Sequence, residues 1–392
     1  MIIKNAEIYT PDHRFVKSDL VIRGEKIEFS PSDGTTFYGG APLPGETIID
    51  AEGLLALPGL VDIHFHGAAG HDFCDADPEA LRAIARYEAA NGVLAICPAT
   101  MTFPEIRLNA VMDSAAAYRY SADTARDVSD EADLVGINLE GPFISPDRAG
   151  AQNPEYVTAA DAALFRRLQA RSGGLIKLCD VAPETPGALE FIREMHEKVR
   201  ISLAHTTTDY DTAKNAFAAG ACHMTHLYNA MPGINHREPG PIIAALEEGA
   251  DVELIADGVH IHPAVVRFTF RLFGAEHVIL ISDSMEAAGL PDGSYSLGGQ
   301  EVTVSRRRAV LTDSPSTIAG SVTNLYDCMK TAVLQMDVPL EDAVRAASEN
   351  PARAIGLGGL YGTLAPGAYA NIILADKELH QQTVILRGRR IV

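Results

Sequence analysis

Residues 60–66 read LVDIHFH, an apolar run that ends in two histidines spaced by one residue. Seven further runs share this build: GVLAICPAT (92–100), DLVGINLE (133–140), LIKLCDVAPE (175–184), RISLAH (200–205), ACHMTH (221–226), VELIADGVH (252–260) and HVILISD (277–283). Nearly all are continuously apolar over four or five residues, the pattern of parallel strands buried on both faces. Amphipathic segments lie between them. Asp77-Pro78, Thr185-Pro186 and His262-Pro263 each place a cap before a proline at the first helical position. Gly92 and Gly220 sit where helices should stop. Eight strands, each followed by a helix, make an α/β chain of the (β/α)8 TIM-like barrel class. The uneven spacing of the strands, roughly 20 to 40 residues, excludes a solenoid repeat.

Outside this alternating middle the chain is β-rich. MIIKNAEIYT, SDLVIRGEKIEFS and ETIIDAEGLLAL precede it, while NIILADKEL and QQTVILRGRRIV close the chain after the turn-rich GTLAPGAYA. The two ends are expected to pair into one small β-sandwich domain, residues 1–57 with 351–392, flanking a catalytic barrel at 58–350. A hairpin, GSYSLGGQEVTV with RRRAVLTD, interrupts the segment after strand eight, ahead of a helix near TNLYDCMKTAVLQM.

Composition narrows the function. The chain has 392 residues, 47% hydrophobic and 21% charged, enough to bury a large core. Its net charge of −20, from 32 Lys+Arg against 52 Asp+Glu, argues against a nucleic-acid or anionic-membrane partner. No apolar run approaches the ~18–20 residues of a membrane span, and the start MIIKNAEIYTPDHRF lacks the layout of a secretion signal. The five cysteines (Cys74, Cys97, Cys179, Cys222, Cys328) form no C-x-x-C pair and read as small core residues in a reducing cytoplasm.

In a barrel of this class the active site lies at the C-terminal ends of the strands. The expected strand ends are His64 and His66, Glu140, His205, His226 and Asp283. Strand alternation would point His64 and His66 to the same side. A lone H-x-H is as readily a pair of core histidines; four further ligand-type residues at equivalent ends favour a metal site. Imidazole and carboxylate suit zinc, iron or manganese, and one or two divalent ions are expected. Glu140 has two oxygens and could bridge two ions. Lys177 lies at the wrong end of its strand to serve as a bridge. Asp283 reads alone as a helix cap, and beside metal as a base that takes a proton from bound water and returns it to a leaving nitrogen. His71, His196, His223, His236, His262, His277 and His380 read as structural or solvated.

These motifs resemble a known family. PGLVDIHFHG, NLEGPFISPDRAGAQNP, AHTTTDYDTAKNAFAAGA, MTHLYNAMPGINHREPG, IADGVHIHP, LISDSMEAAGL and IAGS are similar to the N-acetylglucosamine-6-phosphate deacetylase family of the amidohydrolase superfamily. The resemblance covers almost the whole chain, and THLYNAM followed by REPG is its most specific part. It implies that Glu140, His205 and His226 hold a central metal, zinc or iron, with Asp283 as acid/base, and that His64 and His66 give capacity for a second ion. It implies sugar-phosphate contacts from Ala151, Asn229, Ala230, Arg237, His260 and the backbone of Ile318, Ala319 and Gly320. Gln152 stands where many members carry histidine; it can polarise a carbonyl but cannot titrate. Ala204 and Asn371 are smaller departures, the latter expected to matter only to folding.

The expected reaction is removal of acetate from N-acetylglucosamine 6-phosphate in the cytoplasm; the resemblance implies a homodimer or homotetramer, and leaves open whether a phosphate contact comes from a neighbouring subunit. Rival readings are the same hydrolysis of another substrate, such as N-acetylgalactosamine 6-phosphate or a cyclic amide, a non-catalytic sugar-phosphate sensor, and a phosphotriesterase-like hydrolase.

Overall fold

A computed structural model of the chain describes residues 1–31, 42–124 and 130–392. Parallel strands form within all eight runs: Leu60–Asp62, Val93–Ile96, Asp133–Leu134 with Ile137–Leu139, Ile176–Val181, Arg200–Leu203, His223–Met224, Asp251–Ile255 and Val278–Ile281. From Ile137 onward they pair in chain order as a six-stranded half-barrel sheet, and the earlier three form a second parallel sheet. The architecture is α/β.

Burial on both faces explains the continuous apolar runs. Along Val278–Ile281, Val278 and Leu280 join the core shared with the surrounding helices. Ile279 and Ile281 join a separate inner core with Val61, Ala95, Cys97, Leu178 and Ile255. Each fully buried aliphatic side chain contributes about 1.5–3 kcal/mol. Helix Glu349–Ala354 supplies Ala352 and Ala354 to this inner core.

Several expectations about local structure need correction. The strands end at Leu203, Met224 and Ile281, short of His205, His226 and Asp283. Those three residues have φ of +42°, +28° and +49°, a left-handed backbone that cannot continue a strand. The first strand likewise stops at Asp62, so strand alternation is not what brings His64 and His66 together. Instead, Asp283 N–H donates to the His64 carbonyl and His66 N–H to the Ser284 carbonyl. Asp77 and His262 cap their helices as expected, but Thr185 does not. That helix starts at Ala188 behind Gly187, and the Thr185 hydroxyl turns back to the Ala182 carbonyl. The segment expected to form one hairpin supplies three strands of a four-stranded antiparallel sheet, Gly293–Leu297, Gln300–Ser305 and Arg308–Leu311, which Ser314–Ile318 completes. Cys222 is exposed at the start of the sixth strand, whereas the other four cysteines are buried.

The chain ends meet in one eight-stranded sheet that joins Ile2–Tyr9, Phe15–Arg23, Lys26–Phe29, Ile48–Asp50 and Leu55–Pro58 to Ile372–Ala375, Gln381–Leu386 and Arg389–Arg390. Both its faces are buried. Ile372 and Leu374 face a core of its own with Ile3, Ile8 and Leu20, whereas Ile373 and Leu57 face the larger core. Residues 32–41 of the expected small domain, and 125–129 of the expected barrel, lie outside the described residues.

Candidate metal and substrate site

The ends of the parallel strands deliver six side chains to one point. His205 Nε2 and His226 Nε2 lie 3.0 and 3.1 Å from Glu140 Oε1, and 3.1 Å from one another. His64 Nε2 is 3.5 Å from the same oxygen. His66 Nε2 lies 3.3 Å from Glu140 Oε2 and 3.4 Å from Asp283 Oδ1, which is also 3.7 Å from His64 Nε2. All six residues are buried.

The partners of the outer ring nitrogens show what this cluster can hold. The Arg148 carbonyl can only accept, so His205 Nδ1, 2.8 Å away, carries a proton and leaves Nε2 bare in the neutral ring. The Glu253 carboxylate does the same for His64, with Oε2 2.9 Å from Nδ1, and His64 Nε2 is a buried atom without a hydrogen-bond partner. Lone pairs from imidazoles and carboxylates thus converge, and His64 Nε2 and Glu140 Oε1 receive no donor from outside the cluster. Two groups, His64/Glu140/His226 and His64/His66/Asp283, have ligand atoms close enough to hold one cation each. The donor set fits a borderline divalent ion, and Glu140 offers one oxygen to each corner.

Electrostatics agree. Burial would lower the His64 pKa, but the charges of Glu140 and Glu253 outweigh it and raise it well above the ordinary value. Burial would raise Glu140, yet His64 and the hydrogen bonds of His205 and His226 hold it well below the usual carboxylate range. Asp283 is likewise held down by His66 and His64 against burial. Carboxylates buried this deeply stay ionised only beside positive charge, which a bound cation would supply in place of the protons on the imidazoles.

Above the cluster opens a cavity of about 410 Å³ lined by His66, Glu140, His205, His226 and Asp283 on one side and by Ala151, Gln152, Asn229, Ala230, His260, Ile318 and Gly320 on the other. Ile318 arrives at the end of the last strand of the four-stranded sheet, together with Ser316 and Thr317, and Gly320 follows just beyond it. Ala319 is fully buried and not among the lining residues. Arg237 does not join this cavity. It is exposed, and lines a second one of about 420 Å³ with Thr207, Tyr210, Asn235 and Glu238. Its loop, Met231 to Gly240, carries the side chain outward. The Gln152 amide donates to Glu140 Oε2 at 2.7 Å and accepts from Thr102 N–H at 2.6 Å.

Residues 55–391 match the model of the amidohydrolase family. Over 390 residues the chain is 35% identical to the N-acetylglucosamine-6-phosphate deacetylase of Bacillus subtilis (strain 168), covering 99% of this chain and 96% of that relative. This chain belongs to the N-acetylglucosamine-6-phosphate deacetylase family of amidohydrolases. A second deacetylase relative, the N-acetylgalactosamine-6-phosphate deacetylase of Escherichia coli O157:H7, is 34% identical over 350 residues, 89% of this chain and 90% of that one. Among solved deacetylase structures, a mutant of the Mycobacterium smegmatis enzyme in complex with N-acetyl-D-glucosamine 6-phosphate superposes with a TM-score of 0.89. It is 30% identical, with 100% of this chain and 99% of that chain covered. Amidohydrolases depend on metal, and the deacetylase site described above carries the residue clusters to hold it.

Sequence reasoning missed the layer behind the ligands. Glu253 is fully buried and accepts from His64 Nδ1 (2.9 Å), His223 Nε2 (3.1 Å) and His226 N–H (3.2 Å). Burial would raise its pKa, but His64 and His223 hold it down to about 2. Its signal was a carboxylate inside the apolar run VELI. Asp257 was also overlooked: its carboxylate binds His260 Nδ1 at 2.8 Å and the backbone N–H of Val259 and His260. Arg148 and Met101, both lining the cavity, carried no sequence signal of their own.

Proposed function

We infer that this protein hydrolyses the acetamide of N-acetylglucosamine 6-phosphate to glucosamine 6-phosphate and acetate. The observation that carries the reading is the meeting of His64, His66, Glu140, His205, His226 and Asp283 in one buried cluster, all but His64 lining one cavity. A bound divalent cation supplies a hydroxide at neutral pH by acidifying water, and polarises the amide carbonyl. Glu140, His205 and His226 hold the first ion, zinc or iron, and His64, His66 and Asp283 give room for a second. Asp283, kept ionised by its imidazole neighbours, accepts the proton of the attacking water and delivers it to the departing nitrogen. His260, with Asn229, Ala230 and the backbone of Ile318 to Gly320, positions the sugar phosphate. The outward placement of Arg237 supports a role at the phosphate of a neighbouring subunit, within a homodimer or homotetramer.

The strands close into a complete (β/α)8 barrel over 58–350, a reading supported by the bonds from Asp283 to His64 and from Asn138 N–H to the Pro98 carbonyl. The terminal segments, 1–57 and 351–392, form a sandwich-like second domain, supported by the buried cores on both faces of their sheet. A cytoplasmic location follows from the amino-sugar phosphate substrate. No helix among the described residues is long and apolar enough to cross a membrane.

The test is acetate release from N-acetylglucosamine 6-phosphate, run beside N-acetylgalactosamine 6-phosphate. The Escherichia coli relative favours that second substrate as the alternative reading. Activity should vanish with chelator and return with zinc or iron. Higher kcat/KM for the galacto sugar would shift the assignment to it, and no acetate from either would end the deacetylase reading.

A further inference from the structure

We propose that Gln152 is a positioning residue for Glu140, setting which oxygen of that carboxylate each metal position receives, instead of contacting the substrate amide. This rests on the metal-site reading above. The orientation of the Gln152 side chain is determined at both ends. Thr102 N–H can only donate, so the Gln152 carbonyl oxygen must face it at 2.6 Å. Glu140 can only accept, so the NH2 group must face its Oε2 at 2.7 Å. Gln152 is 3% exposed, so neither end is contested by bulk water.

The consequence is an asymmetry within Glu140. Its Oε1 faces His205, His226 and His64 and receives no hydrogen-bond donor from outside the cluster. Its Oε2 faces His66 at 3.3 Å and shares its lone pairs with the Gln152 amide. An ion at the His205/His226 corner therefore meets an undivided oxygen on a carboxylate that cannot rotate. An ion at the His66/Asp283 corner meets an oxygen already engaged. Gln152 makes the first position the tighter of the two. Thr102, which anchors the amide, also lies against the Glu140 loop: a Cβ at Gly141 would meet its Oγ1 at 2.0 Å.

Zinc titration of the metal-free protein against a chromophoric chelator, without substrate, reads this directly. Gln152→Met keeps length and removes both polar ends; Gln152→Asn keeps the amide but cannot span from Thr102 to Glu140. Both should weaken the tighter zinc-binding step by about 10- to 100-fold, as loss of a group that orients a metal ligand does. At saturating zinc, both should lower kcat for acetate release while KM stays near wild type. A general loosening of the site would instead move KM, zinc affinity and the thermal midpoint together, and would overturn the proposal. So would wild-type zinc affinity in both variants with a raised KM, which would return Gln152 to the substrate. Two variants of different size guard against one failing to fold. Weakened zinc binding without acetate release in any form would leave this inference standing and remove only the substrate assignment. A wild-type protein that binds no zinc would remove the metal site itself.

Discussion

Glu253→Gln removes one negative charge from the layer behind the ligands while keeping shape. Glu253 receives three donors: His64 Nδ1 and His226 N–H on Oε2, and His223 Nε2 on Oε1. His223 cannot reverse its ring to suit an amide, because Arg200 Nε donates to its Nδ1 at 2.9 Å and obliges Nε2 to carry the proton. A glutamine therefore keeps two bonds at reduced strength and sets its NH2 against an N–H. Hydrogen bonds to a charged group contribute about 1.5–3 kcal/mol against about 0.5–1.5 for neutral ones, and a buried unsatisfied donor costs about 1–3. The sum is about 3–5 kcal/mol, in line with breaking one side of a buried charge pair. Denaturant unfolding of the metal-free variant should show a loss of this size. Because the bond that orients His64 loses its charge assistance, metal affinity should fall by about 10- to 100-fold in a chelator competition. An unfolding midpoint and metal affinity both equal to wild type would refute the idea that Glu253 orients His64.

Asp283→Asn should keep ion binding at the Glu140/His205/His226 corner and lower kcat by about 10²- to 10⁴-fold, the usual contribution of a general acid–base; near-normal turnover would remove Asp283 from proton transfer. His260 titrates above an ordinary histidine because the Asp257 hydrogen bond and charge outweigh the lowering effect of burial. Its positive charge is thus present below that raised pKa and lost as pH rises through it. Inhibition by inorganic phosphate should weaken over that rise, and Asp257→Asn should move the weakening to lower pH; an unchanged profile would separate His260 from the phosphate. Arg387, 8% exposed in its side chain, ties Asp133 to Tyr361 and Glu25 across the two sheets. Arg387→Ala should cost about 3–5 kcal/mol in denaturant unfolding, because it strands a largely buried Asp133, and should leave kcat unchanged since neither Arg387 nor its partners line the cavity.

The local pattern of the chain was sufficient for the strand order and for the ligand types. Continuous apolar runs ending in His, Glu or Asp could be recognised because parallel strands bury both faces and present their ends to one mouth. Asp77 and His262 were legible as caps, since capping is a contact within three residues. Glu253 was present in VELI but silent about its purpose, because the partners that give it meaning, His64 and His223, come from other strands. The left-handed backbone at His205, His226 and Asp283 could not be read either, since nothing local demands it; closing bonds such as Asp283 N–H to the His64 carbonyl impose it.

Gln152 and Arg237 mark the boundary most sharply. Their types and neighbouring motifs suggested contact with substrate. Only the assembled chain shows that one is held between Thr102 and Glu140 and the other is carried outward to a different cavity. Chain pattern by itself determined which residues could serve as ligands and which faces had to be dry, because periodicity and side-chain chemistry are local properties. Which lone pairs meet, which tautomer each imidazole keeps and where each amide points were decided by contacts between segments far apart in the chain, since hydrogen-bond direction exists only once both partners are in place.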